Sequence, residues 1–168
     1  MNALLRVFWR IAVLKDGPQV LPRSSLLIGI ALAFDWSVSA LVGGLEGSLG
    51  VALAEASLAV TLQALFVAAM LGLTRHLDRF GQTVTALFGT DGLVSLLALP
   101  VLSLSLVLPD AAPSLSWLIL GFMLWSILIQ GHILKHALSI RMSLALALAL
   151  AYTLGSIRIF GVLMQSSS

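Results

Sequence analysis

"SSLLIGIALAFDWSVSALVGG", residues 24–44, holds one charged side chain, Asp35, in a run otherwise made of apolar and small residues. A bilayer's hydrocarbon core is about 30 Å thick and a helix rises about 1.5 Å per residue, so roughly 20 apolar residues cross it. This run is long enough. Further runs of that kind lie near residues 48–73, 83–108, 114–137 and 142–164. Of the 168 residues, 60% are hydrophobic and 10% charged, with a mean hydropathy of +1.09. A water-soluble domain of this length carries about a quarter charged residues, which excludes that class here. The expectation is an all-α membrane protein: a five-helix transmembrane domain over 23–168, preceded by a short segment over 1–22.

The last run contains "SLALALALA", residues 143–151, whose alternation has the period of a strand. Leu and Ala are both apolar and both strong helix formers, and the run continues to spanning length. A helix is expected.

Charge in the connections sets the orientation. Arg6, Arg10, Lys15 and Arg23 precede the first span, Arg75 and Arg79 follow the second, and Lys135 and Arg141 follow the fourth. The connections "GGLEGS" and "LPDAAPS" carry Glu46 and Asp110 and no Lys or Arg. Basic residues stay on the cytoplasmic side. The N-terminus is therefore expected inside and the C-terminus outside.

The segment "MNALLRVFWRIAVLKDGPQVLP" is interrupted by Arg6 and Arg10 and lacks a small-residue cleavage site, so it does not read as a signal peptide. Arg6 and Arg10, four apart, share one helical face; Leu4, Phe8, Ile11 and Leu14 occupy much of another. This pattern predicts a short amphipathic helix in the membrane interface, ended by Gly17 and Pro18, with Arg6, Arg10 and Lys15 toward lipid headgroups. A cap docked on the bundle is the alternative.

Asp35, Glu55, Asp91 and Arg158 all fall within spans. Each buried charge costs about 2.5–3.5 kcal/mol on insertion scales, so none should face lipid. From the helical rise, Asp91 lies roughly 12 Å from the cytoplasmic face, Asp35 roughly 16 Å, Glu55 roughly 20 Å and Arg158 roughly 25 Å. Those depths predict an internal polar network in which Arg158 compensates Glu55 and Asp35; a proton or ion path is the functional alternative. Asp91, in "FGTDGL", matches no cation in depth and is left to a hydrogen bond with Thr90 or Gln63 or to protonation. The "GTDG" order departs from the Gly-x-Gly-Asp signature of intramembrane aspartyl proteases. His132 and His136 have the spacing of a metal-binding pair, but no third ligand is near in sequence, and no metal or other cofactor is expected. Pro100 should kink the third span.

The stretches "FGQTVTALFGTDGLVSLLALPVLSLSLVLP" and "LSWLILGFMLWSILIQGHILKHALSIRMSLALALALAYTL" resemble the Yip family of small polytopic membrane proteins. Pro100 in the third span, Trp125 in the fourth and the basic turn at Lys135 and Arg141 carry the resemblance. It implies five spans, a cytoplasmic N-terminus and a non-enzymatic role in organising membrane or partner membrane proteins, in a short member of bacterial type in the inner membrane. The partners it implies are the bilayer, other membrane proteins or a second copy of the chain, and no nucleic acid. The alternative function is a small transport or proton-coupled component working through the intramembrane carboxylates.

Overall fold

The computed structural model of the chain describes residues 2–45 and 47–166. Helix α1, Asn2–Ala12, is followed by five long apolar helices: α2 Ser25–Gly43, α3 Leu49–Leu73, α4 Phe80–Val107, α5 Ala112–Leu138 and α6 Met142–Ser166. By length and composition α2 to α6 can each cross a membrane, and their bounds lie within a few residues of those expected. The alternating Leu-Ala run lies inside α6. Glu46 is outside the described residues.

Local chemistry sets the helix ends. Ser24 and Ser48 cap α2 and α3, each Oγ accepting from a backbone N–H three residues on, at Leu27 and Val51, over 3.4 Å. At the end of α5, Ser139 turns into the left-handed region (φ 57°) and its N–H donates to the Lys135 carbonyl. Pro100 stands inside α4 without ending it; the missing N–H leaves the Leu96 carbonyl without its helical donor.

Helix α4 is the hub. It packs most extensively on α2 and α5, and also touches α1 and α3, while α6 packs on α5 and meets α3 only lightly. Small residues permit the close crossings. A Cβ at Gly92 would come within 3.1 Å of the Asp35 Cα, and one at Gly131 within 2.6 Å of the Leu146 side chain. The indole of Trp36 on α2 donates to Ser57 on α3 over 3.0 Å. Arg79, just before α4, donates through Nη1 to the carbonyls of His136 (3.2 Å) and Ala137 (3.1 Å) and to Ser139 Oγ (2.8 Å). Arg23, Arg75, Arg79, Lys135 and Arg141 thus gather at one end of the bundle, and exposed Asp110 lies at the other.

The N-terminal helix does not stand free of the protein. Ile11 and Ala12 are fully buried, and α1 lies against both α4 and α5. Trp125 donates its indole N–H to the Ala12 carbonyl over 2.9 Å and meets the Trp9 ring edge-on at 6.2 Å. Phe8 fills the space that a side chain at Gly89 would need. The docked cap, the alternative reading of the amphipathic pattern, describes this contact. Such a pattern specifies that a helix has an apolar side to bury, and the α4–α5 groove supplies the surface. Arg6, Arg10 and Lys15 remain exposed. Arg10, however, donates to Asp16 from Nε at 2.6 Å and from Nη2 at 3.1 Å, so part of its charge is committed within the protein. That hydrogen bond and the positive charge hold the Asp16 carboxyl below its usual range.

Candidate functional site

Helical periodicity places polar side chains from five helices on one interior space. Asp35 and Ser39 lie one turn apart on α2, as do Tyr152, Ser156 and Phe160 on α6. With Gln63 from α3, Thr90 and Asp91 from α4, and Ser126 and Gln130 from α5, they line a cavity of about 220 Å³. The lining mixes these polar groups with apolar side chains, and the volume suffices for several waters or a small solute.

Asp35 is 2% exposed, and its Oδ1 is buried without a hydrogen-bond donor. Asp91 accepts from Ser126 Oγ over 3.0 Å. The hydroxyls of Thr90, Thr153 and Ser156 donate back to carbonyls of their own helices, at Ala86, Ala149 and Thr153. Their lone pairs remain for the cavity. Among the described residues the side chains of Gln63, Gln130 and Tyr152 make no hydrogen bond within the protein, and all three line this space. Tyr152 also stacks on Phe66 of α3, with centroids 4.8 Å apart. This pair joins two helices that pack on each other only lightly.

The cavity carries two carboxylates, and no Lys, Arg or His lines it among the described residues. Two like charges in a low dielectric repel and are each poorly solvated, so a proton or a bound cation must compensate them. No group of three or more metal-ligating side chains forms among the described residues. The chemistry on offer is therefore two acidic groups surrounded by neutral oxygen acceptors and amide donors.

The four sequence candidates separate. Asp35 and Asp91 meet at the cavity. Glu55 lines an adjoining cleft that shares Ser39, Ala59 and Phe160 with it. Arg158 does not join them: it is exposed on α6 and forms no ion pair among the described residues. The expected network around Arg158 is corrected by rotation. Depth along a helix says nothing about azimuth, and two residues past Ser156 is about 200° around, on the far side from the cavity.

Ser126, Gln130, Tyr152, Ser156 and Ser39 were missed as site residues. Their i, i+4 spacing on α2 and α6 was a signal, but isolated hydroxyls are common in spanning helices because they bond to their own backbone. His132 and His136 lie close, with ring centroids 4.7 Å apart, and His132 Nε2 contacts the Asp16 carbonyl at 3.1 Å. That contact gives His132 a part in anchoring the segment after α1.

No family model, curated protein or solved structure matches the chain. The Yip resemblance therefore rests on the spans quoted for it.

Proposed function

We propose that this integral membrane protein is a small proton-coupled carrier, not an enzyme, and that it binds a small cationic solute between Asp35 and Asp91. The observation that carries this reading is the pair of aspartates on one cavity whose lining has no Lys, Arg or His among the described residues. A pair holding two protons and a pair holding one proton and one monovalent cation are the two neutral states, and exchange between them swaps one proton for one cation. The cavity volume, about 220 Å³, lies below the roughly 300–1,000 Å³ of drug-sized sites and favours a solute of a few heavy atoms over a polypeptide. Glu55, in the next cleft, extends the acidic path toward the end of the bundle where Asp110 lies. We infer from loop charge that the basic end is inside, and take a bacterial inner membrane as the setting from the compact chain, its short loops and the Yip resemblance.

The test is proton release from proteoliposomes loaded with a pH-sensitive dye, on addition of sodium, potassium, methylammonium or guanidinium. At least one cation should drive release, and Asp35→Asn and Asp91→Asn should each abolish it. Failure of every cation to move protons, in protein that remains folded, would reject the carrier. The organising role implied by the Yip resemblance would then take its place.

A further inference from the structure

A second cavity, of about 250 Å³, opens at the basic end between the Pro18–Val20 turn, the start of α4 and the end of α5. Arg23, Arg79 and His136 line it together with Gln19, Gln82 and Thr83. We propose that this cavity binds a phosphate group, and that its occupant is the headgroup of an anionic phospholipid.

Two arginines supply the donors of the lining, while the Gln82 amide and the Thr83 hydroxyl already donate to carbonyls of the protein. Arg79 is held by three hydrogen bonds through Nη1 to the last turn of α5. A guanidinium has five N–H donors in a fixed plane, so the Nε and Nη2 donors remain after this anchoring. An arginine fixed by the protein loses little freedom when it grips an oxyanion, and its planar fork suits phosphate. Gln82 donates to the carbonyls of Gln19 (3.3 Å) and Leu21 (2.6 Å), which holds the wall of the cavity to α4. Arg23 supplies a second positive charge on the lining. Among the described residues it pairs with Asp78, at 3.5 Å, and the two side chains are 65% and 60% exposed, so water screens that pair. No carboxylate lines the cavity itself among the described residues.

Position selects the lipid over a free anion. The cavity lies where the spanning helices leave the membrane on the basic side, and basic pockets between helices at that level meet anionic headgroups directly. It is separate from Arg6 and Arg10, which lie on α1.

The test uses the full chain, purified in detergent and stripped of lipid, with thermal unfolding followed during titration of phosphatidylglycerol, phosphatidylcholine or inorganic phosphate. Phosphatidylglycerol should raise the midpoint and phosphatidylcholine should not. Arg23→Gln, which leaves the Arg79 contacts intact, should weaken the phosphatidylglycerol effect about fivefold. His136→Gln should weaken it as well. Arg141→Gln, a basic residue of the same end that does not line the cavity, should leave it unchanged. Equal protection by inorganic phosphate, lost in Arg23→Gln, would keep the phosphate site and overturn the lipid as its occupant. Equal losses in Arg23→Gln and Arg141→Gln, or no effect of phosphatidylglycerol on the parent protein, would overturn the site.

Discussion

At Asp35 the fold buries a carboxylate oxygen without a donor and places a second carboxylate, Asp91, on the same cavity. Such an arrangement costs stability, because each buried charge is poorly solvated and the two repel. Asp35→Asn removes one of the like charges at nearly constant volume. It is expected to hold or raise the unfolding midpoint of the detergent-solubilised protein while abolishing proton release. Arg158 gives the opposite expectation. It is exposed on α6 and pairs with none of the carboxylates, so Arg158→Leu should change stability by about 0.5 kcal/mol or less in thermal unfolding. A large loss in Arg158→Leu would restore it to the interior network.

At the scale of elements, α1 is held by a few identifiable contacts, and each predicts how it detaches. Trp125→Phe deletes the indole donor to Ala12 and should weaken docking by about 0.5–1.5 kcal/mol. Gly89→Ala places a methyl where the Phe8 ring sits and should act in the same direction. The chain has no cysteine, so a single Ile11→Cys substitution reports docking through its rate of exchange with a pyridyl disulfide, a reagent that reacts with thiols even in acid. Both changes should speed that reaction, and an unchanged rate in both would mean that other contacts hold α1. Acid should act too. The guanidinium of Arg10 lowers the Asp16 carboxyl from its ordinary value. The contribution is therefore present above the unfolded carboxyl's pKa, about 3.9, and is lost as pH falls through the lower folded value. Relative to a free thiol under the same conditions, labelling of the Ile11→Cys variant should accelerate below about pH 4.

For the whole molecule, the even rule of the connections predicts orientation. Arg79, Lys135 and Arg141 share an end with Arg23, while Asp110 lies opposite. A reporter active only outside the cytoplasm, fused after Ser168, should be active, and one fused after Arg79 should be silent. The reverse pattern would invert the topology. At the lightly packed seam between α3 and α6, the Phe66–Tyr152 stack stands beside the cavity and an apolar cleft that shares Tyr152 and Ser156 with it.

Span number, helix type and the gathering of basic residues at one end were legible because each depends on composition along the chain. A run of about 20 apolar residues has few alternatives in a bilayer, where every backbone polar group must be satisfied within the helix. Asp35, Asp91 and Glu55 could be singled out for the same reason, since a carboxylate in such a run is costly wherever it faces. Which charges meet was a different kind of question. Depth placed Arg158 near the carboxylates, but rotation about α6 turned it outward and brought Tyr152 and Ser156 inward instead. The docking of α1 was open for a related reason, because the groove that receives Ile11 and Ala12 exists only when α4 and α5 pack. Linear pattern determined the spanning elements and their polar residues, whereas azimuth and helix packing, which couple positions far apart in sequence, decided the cavity.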